Sequence, residues 1–285
     1  QIYDYWGGLS DLQKGQIRVL HALSFVDDAT RLLRAVRFEQ RFGFEIEPRT
    51  LSLMGESLPL LDKLTGARIR HEINLILAEP NAALMLERLS GLGILAAIHP
   101  ELPWDATLRA NLNLVEVSSV DPAWDLPAQL DNLTLTQVLR WQIWLGKLPQ
   151  SAIQSIASRL RFKSNLKKLL LATSRLIHAL PELDQAKPSR VVHLCADSPT
   201  LAIYAAHQST QDEAIRTLLW NYASQWAAVE PVTTGNDLKA LGLPPSPAFS
   251  DILSALRDAW LDGEIHAPEQ ERALAEKLVA EAKHS

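Results

Sequence analysis

Residues 27–38 read Asp-Asp-Ala-Thr-Arg-Leu-Leu-Arg-Ala-Val-Arg-Phe, with two acids at the start and arginines three residues apart. Carboxylates favour a helix N-terminus, where they accept free backbone N–H groups and lie at the positive end of the helix dipole. The stretch therefore predicts a helix that begins at Asp27 or Asp28. At about 100° per residue, its apolar and charged side chains fall on opposite arcs. The apolar arc contains Ala29, Leu32, Leu33 and Val36, and the charged arc contains Asp28, Arg31, Arg34, Arg37 and Arg41.

The charged arc has two interpretations. A solvated, salt-bridged helix face is the ordinary role of such a pattern. All its cations are arginines, however, and arginine is the residue of planar, bidentate recognition of carboxylates and phosphates. A ligand with a planar polar edge or with phosphates is therefore the alternative hypothesis.

The residues that follow carry a resemblance to a known family. Residues 41–48 read Arg-Phe-Gly-Phe-Glu-Ile-Glu-Pro. Together with residues 27–38 they resemble the nucleotide-recognition motif of bacterial-type (class II) tRNA nucleotidyltransferases and poly(A) polymerases. That motif usually reads Glu-Asp-x-x-Arg-x-x-Arg-x-x-Arg-Phe, so the first acid differs here. The resemblance implies that Asp28 and Arg31 recognise the incoming base. It also implies a nucleotide-binding surface that includes Asp27, Arg34 and Arg37.

Other segments are similar to the same family. Residues 2–12 resemble the link between its catalytic head and its helical neck, and residues 235–265 resemble its C-terminal block. Residues 67–77 resemble a later neck motif. In that motif an arginine and a glutamate four residues apart, here Arg68 and Glu72, brace the helix that carries the base-recognising pair.

One basic cluster interrupts a chain whose net charge is −5. Residues 159–168 read Arg-Leu-Arg-Phe-Lys-Ser-Asn-Leu-Lys-Lys. Contact with phosphates and a solvated helix end both fit this composition. The family has a similar Arg-Leu-x-x-Ser-Asn segment in its tRNA-binding body, which favours RNA. The residues predicted to bind RNA are Arg159, Arg161, Lys163, Lys167 and Lys168.

The periodicity predicts a mostly all-α fold. The chain has 285 residues, 47% of them hydrophobic, which suffices for two or more domains with buried cores. Apolar residues recur at helical spacing almost throughout from residue 27 onward. Predicted helices include residues 50–61, 67–77, 81–89 and 134–145. A short edge strand is expected at residues 17–20.

The resemblance implies a division into four parts. Residues 1–22 are the C-terminal edge of an α/β catalytic head, and residues 23–100 are a helical neck for base recognition. Residues 101–190 form a helical body that binds RNA, and residues 191–285 form a helical tail that binds tRNA. On this interpretation the chain is a fragment that lacks most of the head.

Composition limits the other possibilities. Cys195 is the single cysteine, so an intramolecular disulfide is excluded, and its apolar neighbours predict a buried thiol. No apolar run reaches membrane-spanning length, and a reducing cytoplasm fits the cysteine usage. The sequence does not indicate an oligomeric state. Trp141 and Trp144 are expected in a core, and His71 and His99 lack the spacing of metal ligands.

Nucleotidyl transfer requires a divalent metal ion to neutralise the triphosphate and activate the attacking hydroxyl. The family binds Mg²⁺ through a Gly-Ser and an Asp-x-Asp in its head, and the sequence contains no Asp-x-Asp. We therefore expect no catalytic and no metal-binding residue in this chain. The resemblance implies ATP and CTP as substrates and tRNA as the partner.

Three functions remain open from the sequence. The first is the neck, body and tail of a tRNA nucleotidyltransferase that adds C, A or both to the 3′ end of tRNA. The second is the same part of a poly(A) polymerase, since both branches share these motifs. The third is a helical RNA-binding module without catalysis.

We predict that the purified chain alone does not incorporate nucleotides, because the metal-binding carboxylates are missing from its sequence. The measurement is incubation with a tRNA that lacks its 3′ end, Mg²⁺ and labelled CTP or ATP. A complete enzyme of the family serves as the positive control. If a preparation free of contaminating enzyme extended the tRNA, this chain would contain catalytic residues and the prediction would be wrong.

Overall fold

A computed structural model describes residues 3–115 and 120–284. The chain divides into two compact units, Gln1–His178 and Ala179–Ser285. Within the described residues it forms seventeen α-helices and four strands of two residues each. The predicted, mostly all-α fold is confirmed. The four-part division at residues 22, 100 and 190 stays a prediction.

Eleven helices begin in the first unit, and two small sheets accompany them. The helices are α1 (Gly8–Lys14), α2 (Ser24–Asp27), α3 (Arg31–Phe42), α4 (Pro48–Glu56), α5 (Gly66–Ala78), α6 (Ala82–Gly91), α7 (Ile94–Ile98), α8 (Ala106–Asn113), α9 (Leu135–Leu145), α10 (Gln150–Arg159) and α11 (Ser164–Ala179). Strand β1 (Gln16–Ile17) pairs in parallel with β2 (Glu45–Ile46), and β3 (Gln129–Leu130) pairs antiparallel with β4 (Leu133–Thr134).

The second unit contains the remaining six helices. They are α12 (Pro188–Cys195), α13 (Thr200–Ser209), α14 (Glu213–Ser224), α15 (Gly235–Ala240), α16 (Ala248–Leu261) and α17 (Pro268–His284). Short 3-10 helices lie at Leu58–Lys63, Pro122–Trp124, Leu180–Leu183 and Trp226–Ala228 along the chain.

The chain between α2 and α3 is interrupted where a continuous helix was predicted. Asp28 is extended, with φ −153° and ψ 101°, and α3 begins only at Arg31. The Asp28 carboxylate accepts hydrogen bonds from the backbone N–H and the hydroxyl of Thr30, at 3.0 and 2.7 Å. Aspartate side chains compete in this way with helical backbone bonds. The predicted helix start at Asp27 or Asp28 is therefore wrong.

Two other boundaries differ from the prediction, and three agree. Helix α4 ends at Glu56, short of the predicted residue 61, because Pro59 lacks a backbone N–H and disfavours helical geometry in Leu58. The expected strand at residues 17–20 is only the two-residue β1. The helices predicted at residues 67–77, 81–89 and 134–145 are confirmed as α5, α6 and α9 within one or two residues.

The predicted apolar surfaces form the core of the first unit. The arc of α3 is fully buried at Leu32, Leu33 and Val36. The rings of Trp141 and Trp144 on α9 stack with their centroids 5.2 Å apart, and both are buried. These tryptophans are packing residues, as predicted.

The second unit has its own buried groups. The thiol of Cys195 is fully buried, and burial raises its pKa to about 12, so it stays a neutral, unreactive thiol. The carboxylate of Glu271 is also buried. It accepts hydrogen bonds from the backbone N–H groups of Val232 and Thr233 and from the indole N–H of Trp260. Among the helices in the described ranges, none combines the length and the apolar character needed to cross a membrane.

Gly66 allows the backbone of α5 to approach the end of α10 closely, because it has no side chain. A Cβ atom at Gly66 would lie 1.8 Å from the carbonyl oxygen of Arg159, which is a backbone atom that cannot rotate away. We expect Gly66→Ala to lower the free energy of unfolding by about 1–3 kcal/mol through overpacking. Chemical denaturation monitored by circular dichroism measures this change.

Gly55→Ala is the matched control, because a Cβ atom there meets nothing within 4 Å and the residue lies in α4. It should raise stability by about 0.5–1 kcal/mol, since alanine favours a helix more than glycine does. Equal effects of the two substitutions would contradict the close approach at Gly66.

Candidate nucleotide-recognition site and basic segment

The Asp28 carboxylate is held through a single oxygen. Its Oδ1 accepts from the N–H of Thr30 at 3.0 Å, from the Thr30 hydroxyl at 2.7 Å and from Nη2 of Arg68 at 2.9 Å. The side chain stays 24% exposed. In the described part of the chain, Oδ2 has no hydrogen-bond partner. The carboxylate is therefore fixed in orientation and keeps one oxygen for a ligand.

The pKa of the Asp28 carboxyl lies below its usual value. Partial burial by itself raises this pKa, because it disfavours the charged form. The two hydrogen bonds from Thr30 and the positive charges of Arg68 and Arg31 outweigh that effect. Asp28 is therefore ionised at neutral pH, and an ionised carboxylate only accepts hydrogen bonds.

Arg31 is the first residue of α3, and its guanidinium is held by the preceding turn. Nη1 donates to the backbone carbonyl of Ser24 at 2.9 Å. The sequence predicted that Asp28 and Arg31 lie one turn apart on a helix face. They do not, because Asp28 lies outside the helix. Their proximity comes from the bend at residues 28–30. The positive charge of Arg31 nevertheless contributes to the low pKa of Asp28.

The three other residues predicted to bind nucleotide have different surroundings. Arg34 is exposed and, among the described residues, its guanidinium has no partner. Asp27 is exposed and lies 3.5 Å from Nε2 of His21. The side chain of Arg37 is only 12% exposed and lies 3.7 Å from Glu72 and 3.9 Å from Glu79. Arg34 is therefore open to a ligand, whereas Arg37 is engaged within the protein.

Helix α5 connects the two predicted bracing residues to this segment. Arg68 binds Asp28, and Glu72 approaches Arg37 on α3. The two contacts run from α5 to the predicted nucleotide-binding residues and not between Arg68 and Glu72 themselves. Such contacts fit a brace, although the functional role of the two residues stays a prediction.

Sequence reasoning missed Thr30 and Glu79. An Asp followed two residues later by a residue with a free N–H is the spacing of an Asx turn, so Asp28 and Thr30 carried a usable signal. Glu79, which also accepts from Arg41 at 3.2 Å, lies 38 residues from that arginine. No local pattern could have indicated that contact.

The predicted RNA-binding cluster is only partly free. Arg159 donates to the backbone carbonyls of Leu61 and Leu64, at 2.8 and 3.2 Å, so it joins α10 to the segment before α5. Nζ of Lys163 lies 3.4 Å from the carbonyl oxygen of Asp131. The remaining three cations of the cluster are exposed or half-buried and have no partner within residues 3–115 and 120–284: Arg161, Lys167 and Lys168.

Two acids outside the predicted site, Glu47 and Asp262, have structural contacts. Glu47 accepts from the N–H of Thr50 at 2.7 Å and caps α4. Asp262 accepts from the N–H and the hydroxyl of Ser189, at 2.9 and 2.8 Å. In the described part of the chain, no group of three or more His, Cys, Asp or Glu side chains is arranged to hold a metal ion.

Comparisons with known proteins agree with the resemblance of residues 27–48. Residues 43–105 match a family described as the probable RNA and SrmB-binding site of polymerase A. The A-adding tRNA nucleotidyltransferase of Geobacter sulfurreducens is 33% identical over 99% of this chain, which spans 33% of that protein's length.

Solved structures extend the likeness to the fold. A CCA-adding enzyme of Thermotoga maritima in complex with tRNA aligns with a TM-score of 0.71 and 25% identity, covering 98% of this chain and 67% of that one. A CCA-adding enzyme in complex with ATP aligns with a TM-score of 0.74 and 25% identity, covering 98% and 66%. The helical fold is thus that of tRNA-end-adding nucleotidyltransferases. In sequence and in helical fold the chain is thus similar to bacterial-type tRNA nucleotidyltransferases.

Proposed function

We propose that this chain selects the nucleotide and holds the tRNA in an enzyme that adds C, A or both to the 3′ end of tRNA without a template. The observation that carries the proposal is the fixed Asp28 carboxylate beside Arg31. The complexes of related enzymes with tRNA and with ATP support the choice of substrates.

Asp28 and Arg31 offer hydrogen-bonding groups that match only two bases. Cytosine and adenine each present an amino donor next to a ring acceptor on the Watson–Crick edge. Uracil and guanine present a carbonyl acceptor next to a ring N–H. Asp28 only accepts and Arg31 only donates, so C or A can form hydrogen bonds with both side chains. With U or G, an acceptor would face the Asp28 carboxylate and a donor would face the Arg31 guanidinium.

Neighbouring arginines complete the nucleotide-binding surface. Arg34 lies three residues beyond Arg31 on α3 and is unpartnered in the described residues, so it is available to a phosphate or a sugar hydroxyl. Arg37 is held by Glu72 and Glu79, and we assign it to positioning α3. Asp27 lies at the exposed end of α2, at the rim of this surface.

Metal chemistry is not assigned to the described residues. The family uses Mg²⁺, which neutralises the triphosphate and activates the attacking hydroxyl. The described side chains do not form a group that fits a divalent ion. To the described residues we assign recognition and positioning. The neutral, buried thiol of Cys195 is consistent with the reducing cytoplasm in which we place the protein.

The basic segment provides the contact with tRNA. Arg161, Lys167 and Lys168 point their charges to solvent or lie half-buried, and Lys163 is exposed beside the β3–β4 hairpin. Neutralising phosphates releases counterions, which gives sequence-independent affinity that falls with salt. Arg159 contributes indirectly by stabilising the fold, because its guanidinium donates to the carbonyls of Leu61 and Leu64.

A poly(A) polymerase is the second candidate, because the family that matches residues 43–105 is described by its role in polymerase A. Product length separates the two activities. The full-length polypeptide should add one to three nucleotides to a tRNA lacking its 3′ end if the first proposal holds. Long adenosine tails on unrelated RNA would favour the second. Binding without extension would indicate a non-catalytic module.

We predict that Asp28→Ala and Arg31→Ala lower the selectivity of the full-length polypeptide against UTP and GTP. A good bidentate contact to a base discriminates by roughly 1–3 kcal/mol, or about 5- to 150-fold. The measurement is kcat/KM for each of the four nucleotides with a tRNA acceptor. The rate with CTP or ATP should also fall.

Asp62→Ala and Arg49→Ala are the matched controls, since both residues are exposed and have no partner among the described residues. They remove the same charges and should leave selectivity unchanged. If Asp28→Ala and Arg31→Ala lower kcat/KM equally for all four nucleotides, the two residues are only structural.

We also predict that replacing Lys167 and Lys168 with alanine weakens binding to all tRNAs alike. Each phosphate contact contributes about −0.9 to the slope of log affinity against log salt on a duplex. The slope should therefore flatten by roughly 0.9 for each lost contact. Fluorescence anisotropy with labelled tRNA over a series of salt concentrations measures both quantities.

The control variant replaces the exposed Lys63 and Lys147 with alanine, which changes the net charge by the same amount. It should keep the slope of the unmodified chain. An unchanged affinity and slope in the Lys167 and Lys168 variant would mean that the cluster is a solvated helix end.

A further inference from the structure

Thr30 directly precedes α3, and its hydroxyl donates to a carboxylate and does not accept from the helix. It is the N-cap residue of α3, where a threonine hydroxyl ordinarily accepts a hydrogen bond from a backbone N–H of the first turn. Its side chain makes no such bond. The hydroxyl instead donates to Oδ1 of Asp28 at 2.7 Å. Thr30 has helical φ and ψ angles, −63° and −20°, so the capping acceptor of this turn is the extended Asp28. The Asp28 carboxylate accepts from the Thr30 N–H, and the Thr30 hydroxyl adds a second bond to the same oxygen.

A threonine hydroxyl acts as the capping acceptor elsewhere in the chain. Thr134, at the start of α9, accepts from the N–H of Gln137, and the Gln137 side chain returns a bond to the Thr134 N–H. Before α3 the accepting side chain is that of Asp28, and the Thr30 hydroxyl is used to hold that carboxylate. The beneficiary here is Asp28, the residue to which we assign recognition of the base.

Thr30 and Arg68 together decide which oxygen of Asp28 faces a ligand. All three donors bind Oδ1, and they come from two directions along the chain, two residues and 40 residues away. Because Asp28 is extended and outside α3, the helix backbone does not fix its side chain. Without these donors the carboxylate could rotate about its Cβ–Cγ bond, and neither oxygen would have a fixed direction. The low pKa of Asp28 agrees with this arrangement, since hydrogen bonds to the charged form favour it.

We propose that Thr30 is a specificity-determining positioning residue, whose hydroxyl fixes Oδ1 of Asp28 so that Oδ2 is the single acceptor for the amino group of cytosine or adenine. Thr30 is 4% exposed and does not itself touch the base. The inference rests on the proposed function, because it needs Asp28 to recognise the base.

Two variants of Thr30 in the full-length polypeptide test the proposal. Thr30→Val keeps the shape and the backbone N–H but removes the hydroxyl. Thr30→Ser keeps the hydroxyl. Loss of one hydrogen bond of ordinary strength should lower the discrimination of CTP and ATP against UTP and GTP by roughly 3- to 10-fold in Thr30→Val. Thr30→Ser should retain the discrimination of the unmodified enzyme.

The matched control is Thr50→Val. Thr50 is also fully buried, and its hydroxyl and N–H both bind a carboxylate, that of Glu47, at 2.9 and 2.7 Å. This variant should lose stability without losing discrimination. If Thr30 served stability alone, both valine variants would unfold at a lower midpoint temperature. The selectivity among nucleotides would then be unchanged in both variants.

The pH dependence gives a second readout. The discrimination needs an ionised Asp28, so it is lost as the pH falls through the pKa of that carboxyl. Removing a donor from the charged form raises the pKa, so Thr30→Val should lose discrimination at a higher pH than the unmodified enzyme. The same shift is measurable without activity, by carboxyl ¹³C NMR of the chain, with Asp28→Asn to assign the signal.

The outcomes separate the two proposals. If Asp28→Ala abolishes discrimination and Thr30→Val leaves both discrimination and the Asp28 pKa unchanged, the inference about Thr30 is wrong and the proposed function stands. If Asp28→Ala has no effect on selectivity, the proposed function is wrong, and the inference about Thr30 is wrong with it. Reduced discrimination in Thr30→Val, with recovery in Thr30→Ser, supports the inference.

Discussion

The contact of Arg68 and Thr30 with one oxygen of Asp28 is the interaction on which the candidate site depends. It lies where α2 ends, and it stabilises the turn that precedes α3. Arg68 connects this turn to α5. The carboxylate is partly buried, which costs free energy unless donors compensate. Three donors do so, and the pKa of Asp28 is consequently low. Local folding and the proposed recognition of the base thus use the same hydrogen bonds.

Arginines close helix ends throughout the first unit. The last carbonyls of a helix lack intrahelical partners and need donors from elsewhere. Arg140 donates to the carbonyls of Leu77 and Glu79 at the end of α5, at 2.7 and 2.6 Å. Arg70 donates to the carbonyl of Leu160 at the end of α10, at 3.0 Å. In both arginines the donor is the single nitrogen Nη1, which here serves the fold. Burial lowers the pKa of Arg140.

The cations of α3 and of the basic segment therefore fall into two sets. Arg34, Arg161 and Lys168 are exposed and, in residues 3–115 and 120–284, without partners. Arg37 and Arg159 are engaged by acids or carbonyls of other elements. A count of positive charges along the sequence does not separate the two sets, because each contact is made with residues far away in the chain.

The sequence by itself determined the helical class, the apolar arc of α3, the buried tryptophans and the residues of the candidate site. These follow from periodicity, which depends on neighbours three or four positions apart, and from a motif whose spacing is local. Only the tertiary structure decided that Asp28 lies outside the helix and that Thr30 and Arg68 share its Oδ1. Arg68 is 40 residues away, and a side chain's choice among distant donors is settled by packing, which local pattern does not contain.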